Sequence, residues 1–147
     1  MQQKATFSMN CFWGPQDFFF KLPGILNTIV GYTGGTTKNP TYTTIGDHTE
    51  TIEIIFDPKI ISYEQLLKYF LNEHDPTEEQ KTQYKSIIFY HSAEQKELAE
   101  SAKKKYEEKI KKPVYTEIKE ATTFYPAEEY HQHYTAKARK ERKPPFH

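Results

Sequence analysis

Cysteine is nearly missing from this chain: one residue, Cys11, in 147. A single thiol cannot close an internal disulfide, so a disulfide-stapled secreted scaffold is excluded. An excess of either charge is missing too, since 20 Lys+Arg balance 20 Asp+Glu. That removes the electrostatic footprint of a nucleic-acid or anionic-membrane partner, and neither is expected. No apolar run approaches the ~20 residues of a membrane span. The opening Met1-Gln2-Gln3-Lys4-Ala5-Thr6 has no apolar core of the signal-peptide kind. One cysteine and no secretion signal together predict a reducing, cytoplasmic setting. Repeats and low-complexity linkers are also absent, and the length suits one domain over residues 1–147. Aromatics are abundant, with 11 Tyr and 10 Phe. Most of them must fill a core, and Tyr at loop positions leaves room for a binding pocket.

Residues 4–9 read as a strand. Residues 16–21 can begin a helix, with Pro15 tolerated in its first turn. Residues 25–32 read as a second strand ended by Gly34-Gly35, and 36–49 as a Thr-rich loop. Residues 50–56 alternate as a strand that Asp57-Pro58 stops. Ser62-Tyr-Glu-Gln65 is a capping-box pattern, and Tyr63, Leu66, Leu67, Phe70 and Leu71 follow at helical spacing. A strand is expected over 82–90. A second capping-box pattern, Ser92-Ala-Glu-Gln95, opens a helix with Leu98, Ala102, Tyr106 and Ile110 on one face and a solvated mixed-charge run on the other. Pro113 breaks that helix, a strand is expected over 114–119, and Pro126 can start a last helix to about residue 140. The basic end, 139–147, is expected to pack loosely. This order predicts an α+β fold: a ferredoxin-like two-layer sandwich with a C-terminal helix/strand extension.

Cys11 falls where the first strand gives way to the first helix. A thiol there feels the positive end of a helix dipole, which favours the nucleophilic thiolate. A lone cysteine is as often an inert small hydrophobe. The following Phe12-Trp13-Gly14 favours a reactive reading: Gly14 permits close backbone approach, and two aromatic rings suit a thioether or methyl group. Other patterns are weaker. Gly31-Tyr-Thr-Gly-Gly35 lacks the Lys-Ser/Thr ending of a phosphate loop and reads as a turn. Glu128-x-x-His131 and His131-x-His133 invite a metal site, but the second Glu-x-x-His that such a site needs is absent, so no metal is expected. Cys11 with a histidine and an acid would make a cysteine hydrolase, yet the local pattern does not match the papain or caspase signatures. Glu50, at the head of its strand, is either an exposed strand-end acid or, if buried among aromatics, a proton donor near neutral pH.

Taken together, Cys11-Phe12-Trp13-Gly14, Leu22-Pro23-Gly24, Val30 to Gly35, Asn39-Pro40-Thr41-Tyr42, His48-Thr49-Glu50, Asp57-Pro58 and residues 61–67 resemble, in order, the A-type peptide methionine sulfoxide reductases (MsrA). His74-Asp75-Pro76, Thr82-Gln83-Tyr84-Lys85-Ser86, Phe124-Tyr125, Ala127-Glu128 and His131-Gln132 continue the likeness over most of residues 4–135. The resemblance implies reduction of methionine S-sulfoxide, free or in proteins, to methionine. It makes Cys11 the nucleophile and Glu50 the acid on the sulfoxide oxygen. Tyr42 and Tyr84 would aim hydroxyls at that oxygen, and Phe12 and Trp13 would hold the substrate methyl. No bound cofactor is implied, and a monomer is expected.

Three departures from the family pattern carry expectations of their own. No further cysteine lies near the C-terminus, so a Cys11 sulfenic acid must be reduced by an external thiol: thioredoxin, glutaredoxin with glutathione, or dithiothreitol. The segment 77–81 is short and lacks an aspartate the family usually places there, with Glu79 as a stand-in; the shortened 42–50 loop opens the pocket mouth. Asn10 replaces the usual glycine before the cysteine, and Asn tolerates positive φ. The competing class is a non-catalytic relative that binds oxidised methionine or senses oxidants through Cys11.

Overall fold

The computed structural model describes residues 2–10 and 13–132. Cys11, Phe12, His133 and the expected last helix past residue 132 therefore lie outside the described residues, as does the basic end.

The elements run β1 (Gln3–Met9), α1 (Trp13–Phe20), β2 (Ile25–Thr33), β3 (Thr49–Phe56), α2 (Tyr63–Asn72), β4 (Ser86–Tyr90), α3 (Ala93–Ile110), β5 (Glu117–Glu120) and β6 (Tyr125–Pro126). They build one sheet in the order β5-β4-β1-β3-β2-β6. Within it, β4-β1-β3-β2 is the antiparallel four-strand order of a ferredoxin-like sandwich, with β5 added parallel to β4 and β6 antiparallel to β2. The expected α+β architecture is the observed one.

Alternation decides which face of the sheet is covered. Ala5, Phe7 and Met9 of β1 and Ile52, Ile54 and Phe56 of β3 are buried in one core with Phe19 of α1, Leu66, Leu67 and Phe70 of α2 and Ala99 of α3. Phe7 is its centre, with ring centroids 4.9 Å from Phe70 and 6.2 Å from Phe19 and Tyr63. The stripe Leu98, Ala102 and Tyr106 rests against this core from α3.

At α2 the capping box is reciprocal: Gln65 N–H donates to Ser62 Oγ at 3.1 Å, and Ser62 N–H to Gln65 Oε1 at 2.9 Å. At α3 only half of it forms. Ser92 Oγ accepts from Gln95 N–H, but the Gln95 side chain turns away. It accepts from His91 N–H at 2.9 Å and donates to Lys4 C=O at 2.9 Å, tying the helix start to β1.

Three expected elements change. The strand over 82–90 begins only at Ser86, because Thr82–Tyr84 turns as a 3-10 helix. Pro126 opens no helix but closes β6, its missing N–H being tolerated in a two-residue edge strand, and a single 3-10 turn follows at Glu129–His131. The strand expected over 114–119 is β5, shifted to Glu117–Glu120.

Candidate active site

The chain leaves β1 at Met9 through Asn10, whose φ of 66° is the positive value expected of an asparagine at a tight turn, and α1 begins at Trp13. By sequence, Cys11 and Phe12 are the two residues between.

Trp13, half-buried at the head of α1, is held on two sides. Its Nε1–H donates to His131 Nδ1 at 3.0 Å, and the two rings stack at 5.5 Å. Tyr42 lies parallel to it, with centroids 6.4 Å apart and planes 7° apart, and itself packs 4.7 Å from His131. Burial holds the His131 imidazole below its ordinary pKa, against the pull of Glu128, which leaves Nδ1 an acceptor at neutral pH.

His131 arrives there because the chain after β6 is fastened to β2. Gly31 permits it: a Cβ on Gly31 would collide with the Tyr125 carbonyl and stand 2.7 Å from the Phe124 ring. The Gln132 amide then acts like a strand residue. It accepts from Val30 N–H at 3.0 Å and donates to Val30 C=O at 2.9 Å. Glu128, in the same segment, accepts from Tyr32 OH at 2.9 Å, Tyr42 N–H at 3.1 Å and Tyr130 OH at 3.2 Å. Burial alone would raise the Glu128 carboxyl, but these donors hold it below its ordinary pKa. The Tyr32 hydroxyl is pushed far up, first by burial and then by Glu128. The pair read in the sequence as a doubtful metal motif thus organises aromatics; among the described residues no cluster of three metal-ligating side chains occurs.

Glu50 sits directly across from Tyr32 in the β2–β3 pairing, so the two side chains share a face. It continues the Phe56, Ile54, Ile52 row of β3 and is 1 % exposed. Of its two sequence readings, the structure selects the buried one. Gln83 Nε2 donates to Glu50 Oε2 at 2.6 Å. One residue back on each side, Thr49 Oγ1 donates to Thr82 C=O at 2.8 Å. These bonds dock the 82–84 turn on the head of β3, and Tyr84, half-buried under Lys81 Nζ at 5.2 Å, ends that turn. Glu79 is exposed in the preceding loop.

Trp13 and Tyr42 thus meet at His131. Glu50 meets the Tyr84 turn through Gln83, and Tyr32 with Glu128 joins the two groups. Sequence reasoning did not single out Tyr32 or Gln83, and for Glu128 and His131 it weighed only a metal site, which it set aside. The cue available was that all four fall inside the ordered blocks quoted above.

Comparison with known proteins identifies the family. Residues 3–145 match the family described as peptide methionine sulfoxide reductase. Peptide methionine sulfoxide reductase MsrA of Methanothermobacter thermautotrophicus is 44% identical over 147 residues, covering 92% of this chain and 87% of its own length. MsrA of Listeria monocytogenes serotype 4b (strain F2365) is 45% identical over 147 residues, with 92% and 83% covered. Reduced Mxr1 of Saccharomyces cerevisiae superposes with a TM-score of 0.89 at 28% identity, covering 99% of this chain and 91% of that one. Mxr1 is also known in complex with Trx2; that structure is 24% identical, with a TM-score of 0.69, over 90% of this chain and 84% of its own. The chain belongs to the peptide methionine sulfoxide reductase family and is an oxidoreductase that reduces methionine sulfoxide.

Proposed function

We propose that the chain reduces the S epimer of methionine sulfoxide, free or within oxidised proteins, by way of a sulfenic acid on Cys11. The observation that carries the residue assignment is the buried Glu50 carboxyl at the end of an otherwise apolar strand row, beside the turn that bears Tyr84. Sulfoxide oxygen leaves poorly until it is protonated, so an acid must face it. A carboxyl withdrawn from water favours its neutral form, which is the form that donates. Glu50 supplies the proton, and the Tyr42 and Tyr84 hydroxyls steady the oxygen as its charge develops. Trp13, fixed by His131 and Tyr42, forms with Phe12 the wall against the substrate methyl. Glu79, exposed in the loop before the Tyr84 turn, is the proposed stand-in for the aspartate the family usually carries there.

In balance, the Cys11 thiol and the sulfoxide yield methionine and Cys11–SOH. Two external thiols then return the cysteine, leaving one disulfide and one water. The sequence holds no second cysteine to take the first of those thiols' places. A thioredoxin is the favoured donor, on the likeness to Mxr1 and its Trx2 complex, and glutaredoxin with glutathione is the second. Such chemistry suits a monomeric repair enzyme of the reducing cytoplasm, acting under oxidative stress. No observation favours the non-catalytic alternative.

The test offers each sulfoxide epimer with dithiothreitol. The S epimer should turn over and the R epimer should not, Cys11→Ser should be inactive, and Glu50→Gln should lose about 10²–10³-fold in rate. One turnover without reductant should leave an adduct with dimedone. Equal use of both epimers, or activity in Cys11→Ser, would overturn the reading.

A further inference from the structure

We infer that Gln83 is a positioning residue for Glu50: it holds the carboxyl in place and stabilises the carboxylate left behind. The inference rests on the assignment of Glu50 as the acid and goes beyond it. Gln83 Nε2 donates to Glu50 Oε2 at 2.6 Å. An amide N–H only donates, so it holds Oε2 whether the carboxyl is neutral or charged. Once the proton has gone to the sulfoxide oxygen, the same N–H faces an anion and the bond becomes charge-assisted, hence stronger. Gln83 therefore binds the product state of the proton transfer more tightly than the reactant state, which is what lowers the barrier.

The turn that carries Gln83 is placed independently of this bond. Thr49 Oγ1 donates to Thr82 C=O at 2.8 Å, and Tyr84 N–H closes the turn on Lys81 C=O at 2.9 Å. The residue before Gln83 is thus tied to the residue before Glu50, and the residue after it, Tyr84, closes the turn. The side chain of Gln83 is aimed by its backbone rather than by Glu50, so its removal should leave the turn in place.

Single-turnover formation of methionine from a methionine S-sulfoxide peptide, followed across pH, tests this without involving the recycling thiol. Gln83→Met should lower the rate constant by about tenfold or more. Because a donor to the carboxylate favours the charged form, its loss should also move the limb governed by Glu50 to higher pH. In the Glu50→Gln background, Gln83→Met should cost nothing further. Gln83→Asn, one methylene shorter, should fall between parent and Gln83→Met, and serves in its place if the Met variant does not fold. If Glu50→Gln is slow while Gln83→Met keeps both rate and pH limb, or if the two losses multiply, the inference fails and the acid assignment stands. If Glu50→Gln is as fast as the parent, the acid assignment itself fails.

Discussion

At the scale of single residues, the candidate site is a set of polar atoms placed where the fold would otherwise put apolar ones. Glu50 occupies the β3 row of Ile52, Ile54 and Phe56, and His131 is 3 % exposed among aromatic rings. Buried groups of this kind cost stability unless bonded, and here each has a donor or acceptor within reach. Trp13 is the single tryptophan of the chain, so its emission reports on the site directly. His131→Phe keeps a ring against Trp13 but removes the acceptor of its Nε1–H. We expect a shifted emission maximum and a severalfold higher KM for the sulfoxide, with kcat changed less; an unmoved spectrum would show that the bond does not set the indole. Little of this was legible beforehand. Glu50 could be read as exposed or buried because strand periodicity names a face without saying whether a helix covers its end. Gln83 was invisible as an acid's partner because 33 residues separate it from Glu50.

At the scale of elements, the sequence spoke more clearly. Ser62 and Gln65 announced α2, and both capping bonds form. Ser62→Ala should cost about 1 kcal/mol in urea unfolding and leave turnover unchanged, since α2 contributes packing rather than chemistry. The half-formed box at Ser92 marks the limit of such motifs. A glutamine at the third helical position can serve its own helix or a neighbouring strand, and Gln95 chose Lys4 and His91. The 82–84 turn and β6 were misjudged for a related reason. Local propensity cannot see that Thr82 is drawn to Thr49, or that Tyr125–Pro126 completes a ladder on Gly31 and Tyr32. That ladder gives a sharp prediction. Gly31→Ala forces Tyr125 and Phe124 outward, and with them Glu128 and His131. Activity should fall more steeply than stability, read as single-turnover rate against urea midpoint.

At the scale of the whole molecule, one histidine links both layers. His74, just past α2, donates Nδ1–H to Phe70 C=O at 2.6 Å, and its Nε2 accepts from Ser86 Oγ of β4 at 2.8 Å; Ser86 in turn meets Thr116 Oγ1 at 2.8 Å. Burial presses its pKa down to about 4 from the ordinary 6.5. The unfolded chain takes up that proton near pH 6.5 and the folded one only near 4, so stability is lost as pH falls through this window. The full difference is about 3 kcal/mol. Urea unfolding of the parent at pH 7 and pH 4.5 should show a loss of that order, and His74→Gln should flatten it; an equal slope in both proteins would rule the histidine out as the cause.

The Trp13–His131 bond joins residues 118 positions apart, and Tyr42 reaches 86 positions forward to Glu128. A nascent chain leaving the ribosome can therefore form the β1–β3 pairing and cover it with α1 and α2 while half of its tryptophan cradle is still untranslated. Contacts so distant along the chain are the slowest to close. Synthesis accordingly makes the β1–β3 layer available first, and the tryptophan cradle can close only once residues 128–131 have emerged.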